Sequence, residues 1–394
     1  MSVGRQLHLV SYYFAPLGRA DGVNRTYLAK YLAEAGWDID VISCGNPGGF
    51  LSNTAYDDSL LEVLPGNVRI HRLHSRVSAT IGDLLGLLRL IPCTKSGWYW
   101  SVRGRAAALT KPPGILLAVL PPRANGDLAC WIARSRGLPY ALYFVDDFLA
   151  PQVETVRNAA VVFAATDQIR CNLLRHYQLP ESRVHIVRNG FAVEMQTQPK
   201  PVGDVLGIVY TGTVSRTYSP EIVAQAHEKL VELSADVAAK VLVDLYGNDG
   251  WYARRFLRPH LTQNVRFHGY VPFTTAMERL READVAFVSH RVDSSFSSKI
   301  YQYINLGKPI LAVTKNADLR TFIESNGIGW TSPSGDVQRL AEVLREIYEQ
   351  RERLPEIARN VLKLKPQMSL KAQAGKMSRL LEQCLQSGVA GHEA

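Results

Sequence analysis

The feature that most limits the fold is an alternation of short apolar runs with longer amphipathic stretches along the whole chain. Residues 7–11 (LHLVS) read as a buried strand. Residues 24–36 follow as a helix, with Tyr27, Leu28, Tyr31 and Leu32 along one stripe and Gly36 as its stop. Residues 38–43 (DIDVIS) form the next strand. Strand, helix, strand in this order is a βαβ unit, and repeated units build a parallel sheet. The pattern predicts further strands at 115–120, 140–145, 160–164 and 184–187, with helices at 127–136 and 167–177. Residues 197–204 (TQPKPVGD) hold two prolines and a glycine, have no periodicity and read as a linker. A second run then predicts strands at 208–210, 241–246, 265–267, 285–288 and 309–312. Its helices fall at 220–233, 274–282, 298–305, 318–325 and 336–350, with a last amphipathic helix over 368–388.

At 394 residues the chain has room for two domains. The expected architecture is α/β: two Rossmann-like domains, 1–198 and 205–366, facing each other across a cleft, with the last helix packed back on the first. Ligands of open α/β sheets sit beyond the carboxyl ends of the strands, so function is expected in the loops there.

The formal net charge is +9. Three partners fit a basic surface: nucleic acid, an anionic membrane leaflet or a phosphorylated substrate. A plain solvated surface fits it too. No run of five or six Lys or Arg occurs, which argues against a nucleic-acid tail. The five cysteines form no CxxC pair and point to neither a zinc site nor a redox motif. No 18-residue apolar stretch occurs, so no membrane-spanning helix is expected. The nearest case, residues 81–91, is broken by Asp83 and Arg89. It reads either as a membrane-surface segment or as a core helix. Trp98, Tyr99, Trp100, Arg103 and Arg105 follow it and carry the same two readings.

Chemistry concentrates in a few places. Residues 12–22 (YYFAPLGRADG) lead from the first strand to a helix. Gly18 and Gly22 permit close backbone approach there, but the GxGxxG dinucleotide fingerprint is absent. Residues 293–312 (DSSFSSKIYQYINLGKPILA) are more informative. Ser297 or Ser298 can cap a helix, and Lys299 then stands in its first turn, where a cation opposes the helix dipole. A cation there makes sense beside an anion such as a diphosphate. Gln302 lies one turn on, within reach of a sugar hydroxyl. Asp146 and Asp147 end a strand. Adjacent strand residues point to opposite faces, so the two are not a metal-chelating pair. Either one can act as a general base or orient an acceptor hydroxyl, and either can be a helix cap. No HExxH or HxH cluster and no GxSxG elbow is present.

Residues 297–312 resemble the donor-site motif of glycosyltransferase family 4, (P)SKxYEYxAxGKPI. Residues 15–43 resemble the family's Gly-rich loop and first helix, 185–190 (HIVRNG) its VIPNG strand end, 206–220 the opening of its donor domain, and 265–288 its VxFxGYVP…ADV segment. The resemblance implies the GT-B fold, a nucleotide diphosphate-sugar as co-substrate, retention at the anomeric carbon, and no cofactor or metal. It implies that Lys299 and Ser298 contact the donor diphosphate. Gln302 stands where a ribose-binding glutamate is usual. Gly212 is kept, while Thr213 replaces a basic or amide residue, with Arg216 able to supply the cation. Tyr270 and Val271 match the turn near the nucleobase. Gly22 and His290 are placed on the donor, and Arg123 and Asn125 on the acceptor. The expected partner is a glycan or lipid-linked acceptor, not nucleic acid, in surface polysaccharide or glycolipid assembly. The expected location is the cytoplasm, at the inner face of the plasma membrane, with peripheral contact to an anionic membrane as a further expected partner. A nucleotide-sugar epimerase and a non-catalytic binding subunit on the same fold are the alternatives.

Overall fold

A computed structural model describes residues 5–18, 20–48, 56–146, 151–197, 199–291, 297 and 299–390. The chain divides into two compact units. The first comprises Met1–Ala192 and Leu370–Ala394, and the second Val193–Ser369.

The first unit runs β1 (Gln6–Val10), α1 (Ala20–Glu34), β2 (Asp38–Cys44), α2 (Ser59–Glu62), β3 (Val68–Leu73), α3 (Ala79–Leu87), α4 (Ser96–Leu109), β4 (Ile115–Leu120), α5 (Arg123–Arg136), β5 (Tyr140–Phe144), α6 (Val153–Arg157), β6 (Val161–Ala164), α7 (Asp167–Tyr177) and β7 (Val184–Ile186). Its seven strands pair in the order β3-β2-β1-β4-β5-β6-β7, all parallel. β4 (ILLAVL) is buried along its whole length, as a strand covered on both faces must be, and its sequence accordingly has no polar position. The second unit runs β8 (Leu206–Thr211), α8 (Glu221–Leu233), α9 (Ala235–Ala238), β9 (Val241–Tyr246), β10 (Val265–Phe267), α10 (Phe273–Glu282), β11 (Val285–His290), α11 (Lys299–Asn305), β12 (Ile310–Thr314), α12 (Ala317–Ser325), β13 (Gly329–Pro333), α13 (Val337–Glu349) and α14 (Leu354–Leu364). Its six parallel strands order as β10-β9-β8-β11-β12-β13. In both sheets the strand order reverses beside the first strand, between β1 and β4 and between β8 and β11.

The last helix, α15 (Leu370–Ala390), belongs to the first unit. Leu370, Ala374, Met377, Leu381 and Leu385 recur at helical spacing and are buried in that unit's core. The buried Trp37 donates from Nε1 to Ser378 Oγ at 2.9 Å, and Arg5 pairs with Glu382 at 2.9 Å.

Some boundaries differ from the expectation. α1 begins at Ala20 and α5 at Arg123, so residues read as loop, Gly22, Arg123 and Asn125 among them, lie in first helical turns. β3, α4, β13 and α14 were not expected. β3 mixes half-buried residues with the exposed Arg69 and Arg72 at a sheet edge. In α4 the aromatic pattern divides: Trp98 is buried and Trp100 is 49% exposed.

One polar cluster lies on a face of the first sheet. Asp40 accepts from Arg69 Nε at 2.9 Å, His71 Nε2 at 2.9 Å and Gln6 Nε2 at 2.7 Å. Burial alone would raise its carboxyl, but the hydrogen bonds and charges of Arg69 and His71 outweigh that and the pKa is lowered. Neighbouring His8 is buried, donates from Nε2 to Lys111 O at 3.2 Å, and has its pKa lowered by burial. The two groups act in separate pH windows. An Asp with a lowered folded pKa stabilises above its unfolded value near 4 and loses that contribution as pH falls through the folded value. A buried neutral His binds its proton more weakly folded than unfolded, so stability falls as pH drops below about 6.5. The unfolding temperature should therefore decline between pH 7 and 5. His8→Gln, which can keep the bond to Lys111, should make that decline shallower while leaving the steeper loss below pH 4 in place.

Candidate functional site

In the second unit the point of strand reversal lies between the ends of β8 and β11, and Lys299 opens α11 just after β11. The helix is anchored by Tyr303, whose hydroxyl donates to Phe287 O at 2.7 Å, and by Asn305, which bonds Met195 N and Val193 O. Lys299 is thereby aimed back at the end of β8. Its Nζ donates to Tyr210 Oη at 2.9 Å and lies 4.1 Å from the Tyr210 ring centroid and 4.9 Å from that of Tyr218. The Tyr210 hydroxyl in turn donates a hydrogen bond to Thr213 O at 2.5 Å. No carboxylate pairs with Lys299 among the described residues, and burial lowers its pKa to about 7.

The cage requires glycine beneath it. A Cβ on Gly212 would lie 2.4 Å from Lys299 Cε and 2.6 Å from Nζ, and its φ of +136° suits no other residue. A Cβ on Gly247, after β9, would lie 2.2 Å from Gly212 O. Gly247 N donates to Gly269 O, which brings in the turn after β10. Three neighbouring strand ends thus stack backbone on backbone beside one lysine. Asn248 fastens the loop after β8 by accepting from Val214 N at 2.8 Å.

The other expected donor residues scatter around this point. Thr213 and Arg216 are exposed in the loop after β8. Tyr270 is 79% exposed and Val271 half-buried in the turn after β10. Gln302 is half-buried one turn beyond Lys299. His290 is buried, its ring 5.1 Å from that of Tyr218, so it packs behind the aromatic cage rather than standing open in the loop. Ser298 lies outside the described residues. Sequence reading missed Tyr210 and Tyr218, and it missed a polar chain beside them. Arg291 donates to Ser219 Oγ at 2.8 Å and to Glu221 Oε1 at 3.3 Å, and Tyr252 donates to the same oxygen at 2.7 Å. Glu221 is buried, and its Oε2 has no hydrogen-bond partner among the described residues. A tyrosine closing an apolar strand was the one signal available.

In the first unit the reversal lies between β1 and β4. Asn125 brackets it: Oδ1 accepts from Tyr12 N at 3.0 Å and Nδ2 donates to Val119 O at 2.7 Å. Fully buried and bonded at both ends, it ties the two flanking segments together. Gly22 is likewise structural, since a Cβ there would lie 2.3 Å from Leu17 O. Arg123 pairs with Asp127 at 3.0 Å, one helical turn on, rather than standing open to a phosphate. Asp146 lies two residues past the end of β5 and is exposed at the residue level, yet surrounding protein raises its carboxyl, partly offset by the charge of Arg25. Asp147 lies outside the described residues. No group of three or more His, Cys, Asp or Glu able to hold a metal occurs among the described residues.

These geometries can be set beside known proteins. Residues 206–350 match the family model for glycosyl transferases group 1. Trehalose 6-phosphate synthase from Burkholderia multivorans superposes with a TM-score of 0.70 at 10% identity, over 99% of both chains. Anabaena Alr3699/HepE, solved in complex with UDP-glucose, superposes with a TM-score of 0.63 at 12% identity, over 96% of this chain and 99% of that one. The chain has the GT-B fold. A sequence relative, D-inositol 3-phosphate glycosyltransferase 1 of Catenulispora acidiphila, is 23% identical over 58% of this chain, and the match spans 63% of that relative's length. On the GT-B plan, the matched segment carries the whole lysine–tyrosine–glycine cage.

A cation desolvated without a counter-charge costs stability and is relieved by a bound anion. Lys299→Met should therefore raise the unfolding temperature of the ligand-free protein, by about 2–4 °C for each kcal/mol recovered. A merely structural lysine would lower it on removal. Because the free lysine titrates at about 7, anion binding should take up a proton above that pH and weaken as pH rises. Calorimetry in buffers of different ionisation enthalpy reads this directly.

Proposed function

We propose that the chain is a glycosyltransferase that moves a sugar from a nucleotide diphosphate-sugar to a hydroxyl of a glycan or lipid-linked acceptor, with retention, in surface polysaccharide or glycolipid assembly. The observation that carries the reading is Lys299: a cation fixed at the strand-reversal point, desolvated, and lacking a carboxylate partner among the described residues. A diphosphate is the ligand such a group lacks. The family match over 206–350 supports the same reading.

In this reading Lys299 stabilises the charge that develops on the diphosphate as it leaves, which pre-placed donors do best. Ser298 and Arg216 assist. Gln302 meets the ribose, with a single acceptor oxygen where a glutamate would offer two. Tyr270, exposed beside Val271, stacks on the nucleobase. Asp146 orients the acceptor hydroxyl or takes its proton, and burial, which raises its pKa, makes it a stronger base than an ordinary carboxylate. With cations supplied by the chain, the departing diphosphate needs no resident metal. The protein works in the cytoplasm, at the inner face of the plasma membrane.

Thermal unfolding with UDP, GDP, dTDP, ADP and NAD, each with magnesium or EDTA, tests the donor site first. A ligand at 100 times its Kd adds about 2.7 kcal/mol. One nucleoside diphosphate should raise the midpoint without metal, and Lys299→Met should abolish that rise. A shift with NAD alone would sink the reading. Nucleotide release should then require acceptor. Release of product without acceptor would mark an epimerase, and binding with no turnover a non-catalytic subunit. Asp146→Asn should lower kcat by about 10²–10⁴-fold, and full activity in that variant would remove Asp146 from the mechanism.

A further inference from the structure

Helix α3 is built inside out. Its only charged residue, Asp83, is fully buried and accepts from the buried Lys95 Nζ at 2.6 Å. Its two glycines also face the protein. A Cβ on Gly82 would lie 2.5 Å from Thr94 O, and one on Gly86 2.5 Å from Thr94 Cγ2. The ion pair and the close glycine contacts fix the rotation of the helix, and the apolar side chains turn outward. Ile81, Leu84 and Leu87 are 53%, 51% and 58% exposed, and Leu88 and Leu90 beyond them 59% and 67%. A water-facing helix has the opposite pattern. Five large aliphatic side chains within ten residues make a patch, which scattered surface leucines do not.

The charge around the patch is one-sided. From Val63 to Gly126 the chain carries nine Lys or Arg and one acid, the buried Asp83, against 45 and 36 in the whole chain. This stretch therefore holds eight of the nine net positive charges. Arg89 sits between Leu88 and Leu90 with φ 57° and is exposed. On α4, exposed Trp100 and Arg103 share a helix face at a spacing of three. Arg76 N donates to Ser101 Oγ at 3.1 Å, which joins another basic residue to the same helix.

We propose that the outward face of α3, extended by Leu88, Leu90 and Trp100, docks the protein on an anionic lipid surface. Exposed apolar side chains interrupted by an exposed arginine, within a basic stretch that also exposes an indole, are the chemistry of an interfacial membrane helix. A symmetric contact with a second copy would instead set two basic stretches against each other. No described helix is long and apolar enough to cross a membrane, so the contact is with the surface. The inference does not require the transferase reading, because it rests on α3 and the charge around it alone.

The test is co-sedimentation of the full chain with vesicles of phosphatidylcholine alone or with about 30% phosphatidylglycerol. Binding should be at least about tenfold stronger to the anionic vesicles and weaken as salt is raised. Leu84→Asp with Leu87→Asp should cut binding about tenfold or more with the unfolding temperature unchanged, since both residues are exposed. Arg89→Glu with Arg103→Glu should remove the preference for anionic lipid. Absence of binding, equal binding to both vesicle types, or undiminished binding by the leucine variant would overturn the proposal. So would a dimer in sedimentation velocity that the leucine variant dissolves, which would make a second copy the occupant. Nucleotide-induced thermal shifts on the same variants report separately on the donor site.

Discussion

A parallel sheet covered on both faces forces almost everything else in this molecule. Its strands are saturated with aliphatic side chains, as β4 illustrates, so polar chemistry is pushed to the strand ends. The reversal of strand order then opens a gap in the covering layer, and each unit treats its gap differently. The first closes it with Asn125, a buried amide bonded to the backbone of both flanking segments. The second leaves it to a lysine held by aromatic rings over a floor of glycine. One reversal is stitched shut and the other is charged.

Lys95, buried, and Lys299, half-buried, make the same contrast. Lys95 faces Asp83 at 2.6 Å and its role is complete within the fold. Lys299 has a phenol and two ring faces, which ease a cation without neutralising it. Desolvation against such weak compensation brings its pKa to about 7, so the protein holds this group in a state that a bound anion would change. That difference separates a structural ion pair from a receptive site.

Much of the architecture was legible because strand and helix periods differ and the strands are continuous apolar runs; Ile115–Leu120 and Val241–Tyr246 have the bounds their sequences suggest. β3 was illegible because an edge strand mixes Arg and His with its aliphatic residues. Lys299 was legible as an oddity, a cation where a helix dipole disfavours it. Its tyrosines were not, since Tyr210 reads as an ordinary strand residue and meets Lys299 only through the pairing of β8 with β11. Arg123 and Asn125 were misplaced because two prolines before a polar run look like loop, when in fact they precede a helix. Residues 81–91 could be read two ways, and only the rotation imposed by Asp83 decides that the leucines face out.

The return of α15 to the first unit bears on how the protein is made. The stretch from Val193 to Ser369 forms a continuous unit, while the first unit needs residues from both sides of it. On the ribosome, the groove against α1 and Trp37 stays uncovered until Leu370–Leu385 emerge. The first unit is therefore completed only after the second has been synthesised, and the second can fold while the core of the first is still open. A nascent chain halted in that interval would expose apolar surface that the folded first unit hides.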